Sequence, residues 1–578
     1  MPTPPPEEPP DTLGSSPLLA AVAALADRSR LSSSDGPLVS VDELRLSVLK
    51  AALRTGDTGL LPDDLAEEVI RVRALGFETV RIPGADSAEL DGALWTHPDD
   101  RPRPALVMPG GWTDIGWILL AALAARFQQW GYHVLAYTPR GFGASTGQVE
   151  GAGPLDVADA RKALDFLDER LPRRITRTGF LGESYGSGIG QLAAAHDPRV
   201  SAVVAMSTWG DLVEAQYENE TRHLAAILLL RVVPTEGRLA PETQKAFEDI
   251  LGGRPIEEAL AWARARAPLT VVDRLNARRV PVFYVQAWHE TVFPPNQTLR
   301  LFNALRGPKR LYAGIGDHFA VELPSVAGIT SERVLTDARR WFDRFLKGER
   351  NGVDTEDQVT SEVMYTRAVE THATWDAFTD RTERLYLGAP GGPRGRGALS
   401  PVRSSGWSRA VLTGGPGTPA RVADALLVTG LQERFAHPKR YATNRFDAGA
   451  FRSRAAVWQT GPAGRRGLRL RGVPVLRLTY VPAADQTTFV AYLFAADPVG
   501  GGHIVTHAPF TSHHDRAGRP ATAEISLQAT GFDVPSGWRV LLVLTTADPF
   551  YDNANQPDTT LAFTSPAGRE SHLDLPTG

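Results

Sequence analysis

A serine at a sharp turn between a strand-like run and a helix-like run is the feature that most constrains the fold of this chain. The turn is the G-E-S-Y-G segment 182–186, with the apolar run 178–181 before it and a helix-like run beginning at Ser187. Such a turn lifts the serine hydroxyl clear of a sheet, and the flanking glycines let strand and helix pass closely. The pattern also arises by chance in glycine-rich chains, so its flanks carry the prediction that Ser184 is a nucleophile. The alternative is a glycine-rich turn whose serine caps a helix.

The turn lies within an alternation of strand-like and helix-like runs. This alternation predicts an α/β fold with a doubly wound, mostly parallel sheet and right-handed crossovers. A period of two at 78–82 and 90–95 predicts a hairpin before that sheet. The predicted strands are 104–108, 133–137, 178–181, 200–206 and 280–286, with a last strand at 310–314, and the predicted helices are 118–130 and 156–171.

Two segments depart from the alternation. Residues 210–275 carry helical patterns, at 241–251 and 256–267, between two predicted strands. An insertion there lies over the carboxyl edge of a parallel sheet, which predicts a cap over the active site; ordinary crossover helices are the alternative. After residue 383, short β-rich runs alternate with Gly, Pro and Asp turns, which predicts a β-sandwich or jelly roll. The predicted organisation is a disordered tail at 1–15, a helical segment at 16–76, the α/β domain at 77–350, a linker at 351–382 and the β-rich domain at 383–578.

Composition argues against several classes of partner. The formal net charge is −4 and no basic block stands out, so a nucleic-acid partner has no electrostatic support. Cysteine is absent, which excludes disulfides, cysteine metal sites and thiol catalysis. No run of about 18 apolar residues is present, so we expect no membrane span and a soluble, cytoplasmic protein. The sequence leaves homo-oligomer formation open.

Two clusters that resemble ligand sites are assigned no ligand. Residues 140–147 resemble a phosphate-binding loop but lack the Gly-Lys-Ser/Thr ending, so we predict a shaped loop beside the active site. His507, His513, His514 and Asp515 lie in a turn-rich β segment without metal-ligand spacing. We therefore predict no metal ion.

A serine nucleophile needs a base that takes its proton and an acid that orients the base. Glu290 follows the predicted strand 280–286, so it lies at the carboxyl edge of the sheet, where the ligands of such sheets bind. We predict Glu290 as the acid, with Asp317 or Asp273 as alternatives.

The predicted base is His318, which stands in the loop after the predicted strand 310–314. Because the chain has 13 histidines, position is the evidence, and His289 or His223 are the alternatives. The order serine, acid, histidine along the chain is that of α/β-hydrolases.

Two backbone N–H groups are needed to stabilise the oxyanion that forms on the attacked carbonyl. One is predicted to be that of Tyr185, which follows the nucleophile. The loop 109–112, after the first core strand, is predicted to supply the other from Gly111 or Trp112, because glycine lets the backbone approach closely. A simple tight turn is the alternative for this loop. Such chemistry needs no cofactor.

Several segments together resemble the cocaine esterase / X-prolyl dipeptidyl-peptidase family of serine hydrolases, which includes α-amino-acid ester hydrolases and glutaryl acylases. The resemblance extends over roughly residues 77–578, and the combination of its motifs is specific. The segments that carry it are P-R-G-F-G-A-S-T-G at 139–147, G-E-S-Y-G at 182–186, the run 290–297, His318 and W-F-D-R-F-L-K-G-E-R-N-G at 341–352.

The resemblance implies an α/β-hydrolase core, a helical cap and a jelly roll packed near the site, with Ser184, Glu290 and His318 as the triad. The chain departs from the family in two places. The family usually has Asp where Glu290 stands, and several members place a Tyr hydroxyl in the oxyanion hole from the loop that here contains Trp112. The chain is also shorter than typical X-prolyl dipeptidyl-peptidases, which weakens the peptidase hypothesis.

These observations predict a serine hydrolase that cleaves an ester or amide bond of a small acyl or aminoacyl substrate through an acyl-enzyme on Ser184. The expected substrate is a small molecule or a short peptide. One alternative is release of N-terminal Xaa-Pro dipeptides, which needs an anchor for the substrate's amino terminus that the sequence does not locate. The alternative from another class is a catalytically silent binding protein that uses the jelly roll.

Overall fold

The computed structural model describes residues 77–232, 238–253, 255–391, 395–414, 454–499 and 501–578, together with Arg434 and the stretches 51–53, 55–61, 66–67, 69–70 and 73. The tail predicted at 1–15 lies outside the described residues, as does most of the helical segment predicted at 16–76. Within the described residues the chain forms a ten-stranded sheet flanked by helices and, after it, a thirteen-stranded all-β region.

The first sheet contains the predicted alternation. Its strands are β1 (Phe77–Pro83), β2 (Glu89–Trp95), β3 (Arg103–Pro109), β4 (His133–Tyr137), β5 (Ile175–Glu183), β6 (Val200–Met206), β7 (Val282–Ala287), β8 (Lys309–Gly314), β9 (Val359–Glu362) and β10 (Val369–His372). Their order in the sheet is β1-β2-β4-β3-β5-β6-β7-β8-β9-β10, and every neighbouring pair from β4 to β9 is parallel. The hairpin of β1 and β2 is antiparallel, as predicted.

Helices cover both faces of this sheet, because its buried strands present apolar side chains on each. The helices are α1 (Ala121–Gln129), α2 (Pro154–Arg170), α3 (Tyr185–His196), α4 (Leu212–Gln216), α5 (Leu224–Val232), α6 (Pro241–Gly252), α7 (Glu257–Arg264), α8 (Val272–Arg278), α9 (Pro295–Ala304), α10 (Leu323–Val326) and α11 (Arg333–Phe342). Along β3, Ala105 and Val107 join the core beneath α2 and α3, whereas Leu106 and Met108 join the core beneath α1 and α11. The sheet is therefore doubly wound, which confirms the predicted fold class.

The structure differs from the prediction at the far edge of this sheet. The strand predicted at 310–314 is β8, but it is not the last, because β9 pairs parallel with it and β10 pairs with β9. Both strands lie inside 351–382, the segment predicted to be a linker, so part of that segment extends the sheet. Each strand has four residues, and their sequences, V-T-S-E and V-E-T-H, lack the apolar runs that reveal a central strand. A second difference is that the helix predicted at 118–130 begins as a 3-10 turn, Gly116–Leu120, before α1.

Helices α4 to α8 form the predicted insertion between β6 and β7. The two helical patterns expected at 241–251 and 256–267 appear as α6 and α7. Apolar side chains of α5, α6 and α7 share a core, formed by Ile227, Phe247 and Ala259 among others. The insertion thus has its own packing and stands over the carboxyl ends of the parallel strands, where the active site is expected.

The C-terminal region is all-β, as predicted. Its strands are β11 (Arg381–Leu387), β12 (Gly397–Ser400), β13 (Trp407–Leu412), β14 (Ala455–Gln459), β15 (Leu468–Gly472), β16 (Val475–Val481), β17 (Thr487–Ala496), β18 (Gly502–Ser512), β19 (Ala521–Ser526), β20 (Thr530–Val534), β21 (Arg539–Thr545), β22 (Thr560–Ser565) and β23 (His572–Thr577). The long strand β17 lies between β18 and β21 and is buried along nearly its whole length. In the described part of the chain, no helix is long and apolar enough to cross a bilayer.

The β region holds the insertion in place through polar contacts. Arg222, between α4 and α5, pairs with Asp552 of the β region at 2.7 Å. The same guanidinium donates to the carbonyl of Ile250 at 2.7 Å, near the end of α6. Gln528 donates to the buried Glu218 carboxylate at 2.6 Å. The β region therefore helps to fix helices that stand over the sheet edge.

Candidate active site

Ser184 occupies a strained turn between the end of β5 and the start of α3. Its backbone has φ 48° and ψ −118°, a conformation that L residues rarely adopt and that costs about 1–3 kcal/mol. A Cβ on Gly186 would lie 2.1 Å from the carbonyl oxygen of Pro109, and one on Gly182 would lie 2.3 Å from the backbone of Gly186. Both glycines are therefore required for strand, turn and helix to pack this closely. The turn has the geometry predicted for a nucleophile.

His318 and Glu290 meet Ser184 at the carboxyl edge of the sheet. His318 follows β8 and Glu290 follows β7, so both side chains emerge beside the turn after β5. The imidazole Nε2 lies 3.0 Å from Ser184 Oγ, and Nδ1 lies 2.9 Å from Glu290 Oε1. The structure thus brings together the three residues that the sequence predicts, in the arrangement that nucleophilic catalysis by serine requires.

Glu290 is buried, and backbone donors hold its carboxylate. Oε1 accepts hydrogen bonds from the amides of Val292 at 3.0 Å and Phe293 at 3.2 Å, in addition to its contact with His318. The longer side chain of glutamate therefore reaches the imidazole while its carboxylate stays bonded to the backbone of its own loop. The residue type, which departs from the family pattern, is compatible with the geometry found here.

The alternative acids and bases have other contacts or lie in other elements. Asp317 accepts from Thr291 N at 2.7 Å and from the His318 backbone N–H at 2.7 Å, rather than from the imidazole. Asp273 lies in the first turn of α8. His289 Nε2 lies 3.2 Å from the carbonyl of Val505. His223 is fully buried and packs against Phe550 and Tyr551 of the β region.

Tyr185 and Trp112, two of the predicted oxyanion donors, line the same pocket as Ser184. Tyr185 is the first residue of α3, so its N–H is one of the helix amides that lack an intrahelical acceptor. The loop after β3 approaches the turn closely, since Gly186 touches its backbone. Within that loop the Gly110 amide donates to Tyr137 O at 2.8 Å, which leaves Gly111 and Trp112 as the donor positions predicted for the loop.

Two buried carboxyl groups beside the site were not singled out by the sequence. Burial raises the pKa of Glu183 to about 7. Burial and the neighbouring Glu183 raise the pKa of Glu322 to about 8. Glu183 occupies the variable position of the G-x-S-x-G pattern and Glu322 lies just past His318, but a pattern does not reveal burial. Both carboxyl groups favour the protonated form of His318 and so raise its pKa.

The acidic surroundings set the expected pH dependence of the site. Burial by itself lowers the pKa of His318, but Glu290 and, more weakly, Glu183 and Glu322 outweigh it and raise that pKa to about 9. A general base must be neutral, so kcat/KM for an ester should rise about tenfold per pH unit until the pH approaches about 9.

Glu290→Gln removes the strongest cause of the raised pKa of His318. The rise of kcat/KM with pH, which is the acid limb of the profile, should therefore move to lower pH. The measurement is kcat/KM across pH with the spontaneous hydrolysis of the ester subtracted. An acid limb that stays in place when Glu290 is neutralised contradicts a His318–Glu290 pair as the base.

A cavity beneath the insertion opens directly onto Ser184. The volume of the cavity is about 100 Å³. Its wall comes mainly from α4 to α7 and is almost wholly apolar. The lining residues of the described chain are Trp112, Gly151, Ser184, Tyr185, Trp209, Leu212, Val213, Gln216, Tyr217, Ile227, Leu230, Ala246, Phe247, Ile250, Ala259, Leu260, Trp262, Ala263 and Phe293. The insertion therefore encloses an apolar pocket beside the Ser184 hydroxyl.

The two clusters that the sequence left without a ligand have other partners in the structure. Arg140 of the glycine-rich loop pairs with buried Asp159 at 2.7 Å. His507 stacks against Tyr492, with ring centroids 5.7 Å apart. In the described residues, no group of three or more His, Cys, Asp or Glu side chains is placed to hold a metal ion.

Comparison with known proteins yields matches to both halves of the chain. Residues 86–320 match a family model described as X-Pro dipeptidyl-peptidase (S15 family). Residues 351–573 match one described as the X-Pro dipeptidyl-peptidase C-terminal non-catalytic domain. These matches confirm the resemblance that the motifs indicate.

Two of the relatives cover about two fifths of the chain, and one solved structure covers most of it. It is 26% identical over 280 residues to Acyltransferase drtE of Aspergillus calidoustus, which spans 42% of this chain and 86% of that protein. It is 30% identical over 259 residues to Polyketide transferase grgF of Penicillium sp., which spans 38% of this chain and 84% of that protein. A solved structure of an α-amino acid ester hydrolase labelled with selenomethionine has a TM-score of 0.67 at 16% identity, covering 87% of this chain and 96% of that one. That structure shares the fold of both regions.

Proposed function

The chain belongs to the X-Pro dipeptidyl-peptidase (S15) family of serine hydrolases, and within that family we propose that it hydrolyses esters or amides of a small, uncharged acyl group. As a serine hydrolase it is an enzyme, which excludes the catalytically silent binding protein. The observation that carries the proposal is the 3.0 Å separation of Ser184 Oγ from His318 Nε2, with Glu290 on the other ring nitrogen.

The proposed reaction passes through an acyl-enzyme. His318 takes the proton from Ser184 Oγ as the oxygen attacks the substrate carbonyl, while Glu290 fixes the tautomer and stabilises the imidazolium. The amide of Tyr185, with that of Gly111 or Trp112, stabilises the oxyanion. The imidazolium then protonates the leaving group. Water attacks the ester on Ser184, with His318 again as base, and releases the acid.

The character of the pocket supports an uncharged acyl group. None of the described residues that line it is Asp, Glu, Lys or Arg. Burying the free amino terminus of an aminoacyl or Xaa-Pro substrate there would leave an ammonium without a counter-charge, which is strongly unfavourable. We therefore place release of Xaa-Pro dipeptides below simple acyl hydrolysis. A small-molecule or short-peptide substrate and a cytoplasmic location remain predictions of the sequence, which leaves homo-oligomer formation open.

Turnover of matched chromogenic substrates tests this choice. We expect kcat/KM for butyryl and hexanoyl substrates to exceed that for alanyl and Ala-Pro substrates with the same 4-nitrophenol or 4-nitroaniline leaving group. The difference should be at least about 100-fold, because an unpaired buried charge costs several kcal/mol. Intrinsic reactivity is corrected by pairing esters with esters and anilides with anilides. Faster turnover of the Ala-Pro anilide than of the butyryl anilide would overturn the proposed acyl group but leave the serine mechanism in place.

A further inference from the structure

The loop after β3, which is proposed to supply an oxyanion donor, is joined to the cap, the insertion of α4 to α8, by a side chain. The indole N–H of Trp112 donates to Leu230 O, in α5, at 2.7 Å. In a helix that carbonyl accepts from the residue four positions later, but this residue is Pro234, which has no N–H. The indole therefore supplies a donor that the sequence of the cap cannot.

The ring of Trp112 also packs against the other residue proposed to donate to the oxyanion. Its centroid lies 4.9 Å from that of Tyr185, and the two ring planes meet at 87°. The Tyr185 hydroxyl is held in turn, because it donates to Asp156 at 2.7 Å and accepts from the Ala152 amide at 3.0 Å. Trp112 therefore joins α5 to a side chain that is fixed on the α/β domain.

The backbone of the same loop rests on the end of β5 and the turn that follows it. A Cβ on Gly111 would lie 2.7 Å from Glu183 Oε2, and one on Gly186 would lie 2.1 Å from Pro109 O. These contacts prevent the loop from moving toward the sheet. Its position in the other direction, toward the cap, depends on the contact of Trp112 with α5.

Helix α5 also forms part of the apolar pocket beside Ser184. Ile227 and Leu230 of this helix line the pocket together with Trp112. An acyl chain that fills the pocket packs against α5 and against the indole that α5 holds, whereas an acetyl group is too short to fill it. The length of the acyl chain therefore decides whether the substrate supports this contact.

We propose that Trp112 is a positioning residue that couples occupation of the pocket to the oxyanion hole. An acyl chain packed on α5 holds the helix, the helix holds the indole, and the indole sets the loop amide that stabilises the oxyanion. The inference rests on the proposed function, because the pocket is taken to hold the acyl group transferred to Ser184. Contact made far from the carbonyl then stabilises the transition state, so chain length should affect kcat as well as KM.

Acyl chain length tests this coupling in the wild-type enzyme. The 4-nitrophenyl esters of acetate, butyrate and hexanoate are compared, each corrected for spontaneous hydrolysis. Because acylation and deacylation both pass through an oxyanion, kcat reports on the hole whichever step is slower. We expect kcat for hexanoate to exceed that for acetate by about fivefold to tenfold, the effect of one well-placed hydrogen bond. If kcat does not rise with chain length and any preference is confined to KM, the proposal is wrong.

Trp112→Phe is the decisive variant, since it keeps an aromatic ring and removes the N–H that Leu230 O accepts. The ratio of kcat for hexanoate to kcat for acetate should fall by about fivefold to tenfold. A residue that only maintains the fold would lower kcat for both esters alike. An unchanged ratio in a variant with the wild-type circular dichroism spectrum therefore overturns the proposal.

Two other tryptophans provide matched controls. Trp209 lines the pocket but donates to Arg266 O at 2.9 Å instead of to α5. Trp407, in the β region, donates to Leu387 O at 2.7 Å. Replacing either with Phe removes an indole hydrogen bond, and the kcat ratio should stay within about twofold of wild type. If Trp209→Phe lowers the ratio as much as Trp112→Phe does, the shape of the pocket causes the chain-length effect and the coupling is wrong.

Labelling with a fluorophosphonate probe separates this proposal from the one beneath it. Enzyme that labels at Ser184 but shows no effect of chain length on kcat contradicts only the present inference. Enzyme that does not label at Ser184 contradicts the proposed function as well.

Discussion

Replacing Ser184 by alanine is expected to lower kcat for an activated ester by about 10⁴-fold to 10⁶-fold, the loss that follows removal of the nucleophile from a serine triad. Alanine keeps the β-carbon and removes only the oxygen that lies 3.0 Å from His318 Nε2. The acyl-enzyme then has no atom on which to form. Turnover is measured from released 4-nitrophenol, and covalent labelling by a fluorophosphonate should disappear together with it.

Ser201→Ala is the matched control for this substitution. Ser201 lies at the start of β6, half-buried, with its hydroxyl near Arg199 O at 3.4 Å, and it lies outside the proposed site. Both variants should keep the wild-type circular dichroism spectrum, and Ser201→Ala should keep labelling and turnover within about twofold, as expected for a substitution away from the site. Equal labelling of wild type and Ser184→Ala would show that another residue is the nucleophile.

Local sequence patterns were sufficient to predict the central sheet and the sharp turn that carries Ser184. The strands predicted at 133–137 and 200–206 have the bounds of β4 and β6, because both are buried, apolar runs that end at clear turn signals. Ser184 could be predicted because a sharp turn between strand and helix requires glycine at fixed positions around it. The positions of Glu290 and His318 followed from the rule that functional side chains of a parallel sheet gather at the carboxyl ends of its strands.

Features that depend on distant parts of the chain could not be predicted in this way. The strands β9 and β10 are short and polar, and they become strands only because β8 offers a free edge. The burial of Glu322 depends on elements far apart in the sequence. The pocket wall likewise combines the loop containing Trp112 with cap helices that begin about a hundred residues later. Single-sequence periodicity carries no information on such contacts, so the wall of the pocket could not be predicted from the sequence.

The β region also has a structural role that its sequence did not show. The Arg222–Asp552 pair and the Gln528–Glu218 hydrogen bond join it to the cap segment that precedes α5. Arg222 also holds the end of α6, whose Phe247 and Ile250 line the pocket. Packing of the β region against the cap therefore helps to set the shape of the acyl pocket, although its own strands carry none of the proposed catalytic groups.

Glu290→Gln is expected to lower kcat by about 10⁴-fold, as neutralising the acid of a serine triad does elsewhere. The amide keeps the shape of the side chain, and the backbone donors hold its oxygen at the Oε1 position, but without a negative charge it no longer stabilises the imidazolium. Glu290 Oε1 also accepts from the amides of Val292 and Phe293, so the variant is checked for an unchanged circular dichroism spectrum. The measurement is kcat for 4-nitrophenyl butyrate at a pH above the acid limb.

Asp317→Asn is the comparison that decides whether Glu290 or Asp317 is the acid that orients His318. Asp317 bonds Thr291 and the His318 backbone rather than the imidazole, so its replacement should disturb the position of His318 without removing a charge from the ring. We expect a loss of about 10-fold to 100-fold, the size of effect that misplacing a catalytic group produces. Should Asp317→Asn cost as much as Ser184→Ala while Glu290→Gln costs little, Asp317 is the acid and the contact between Glu290 and His318 is incidental. The reverse order identifies Glu290 as the acid that orients His318.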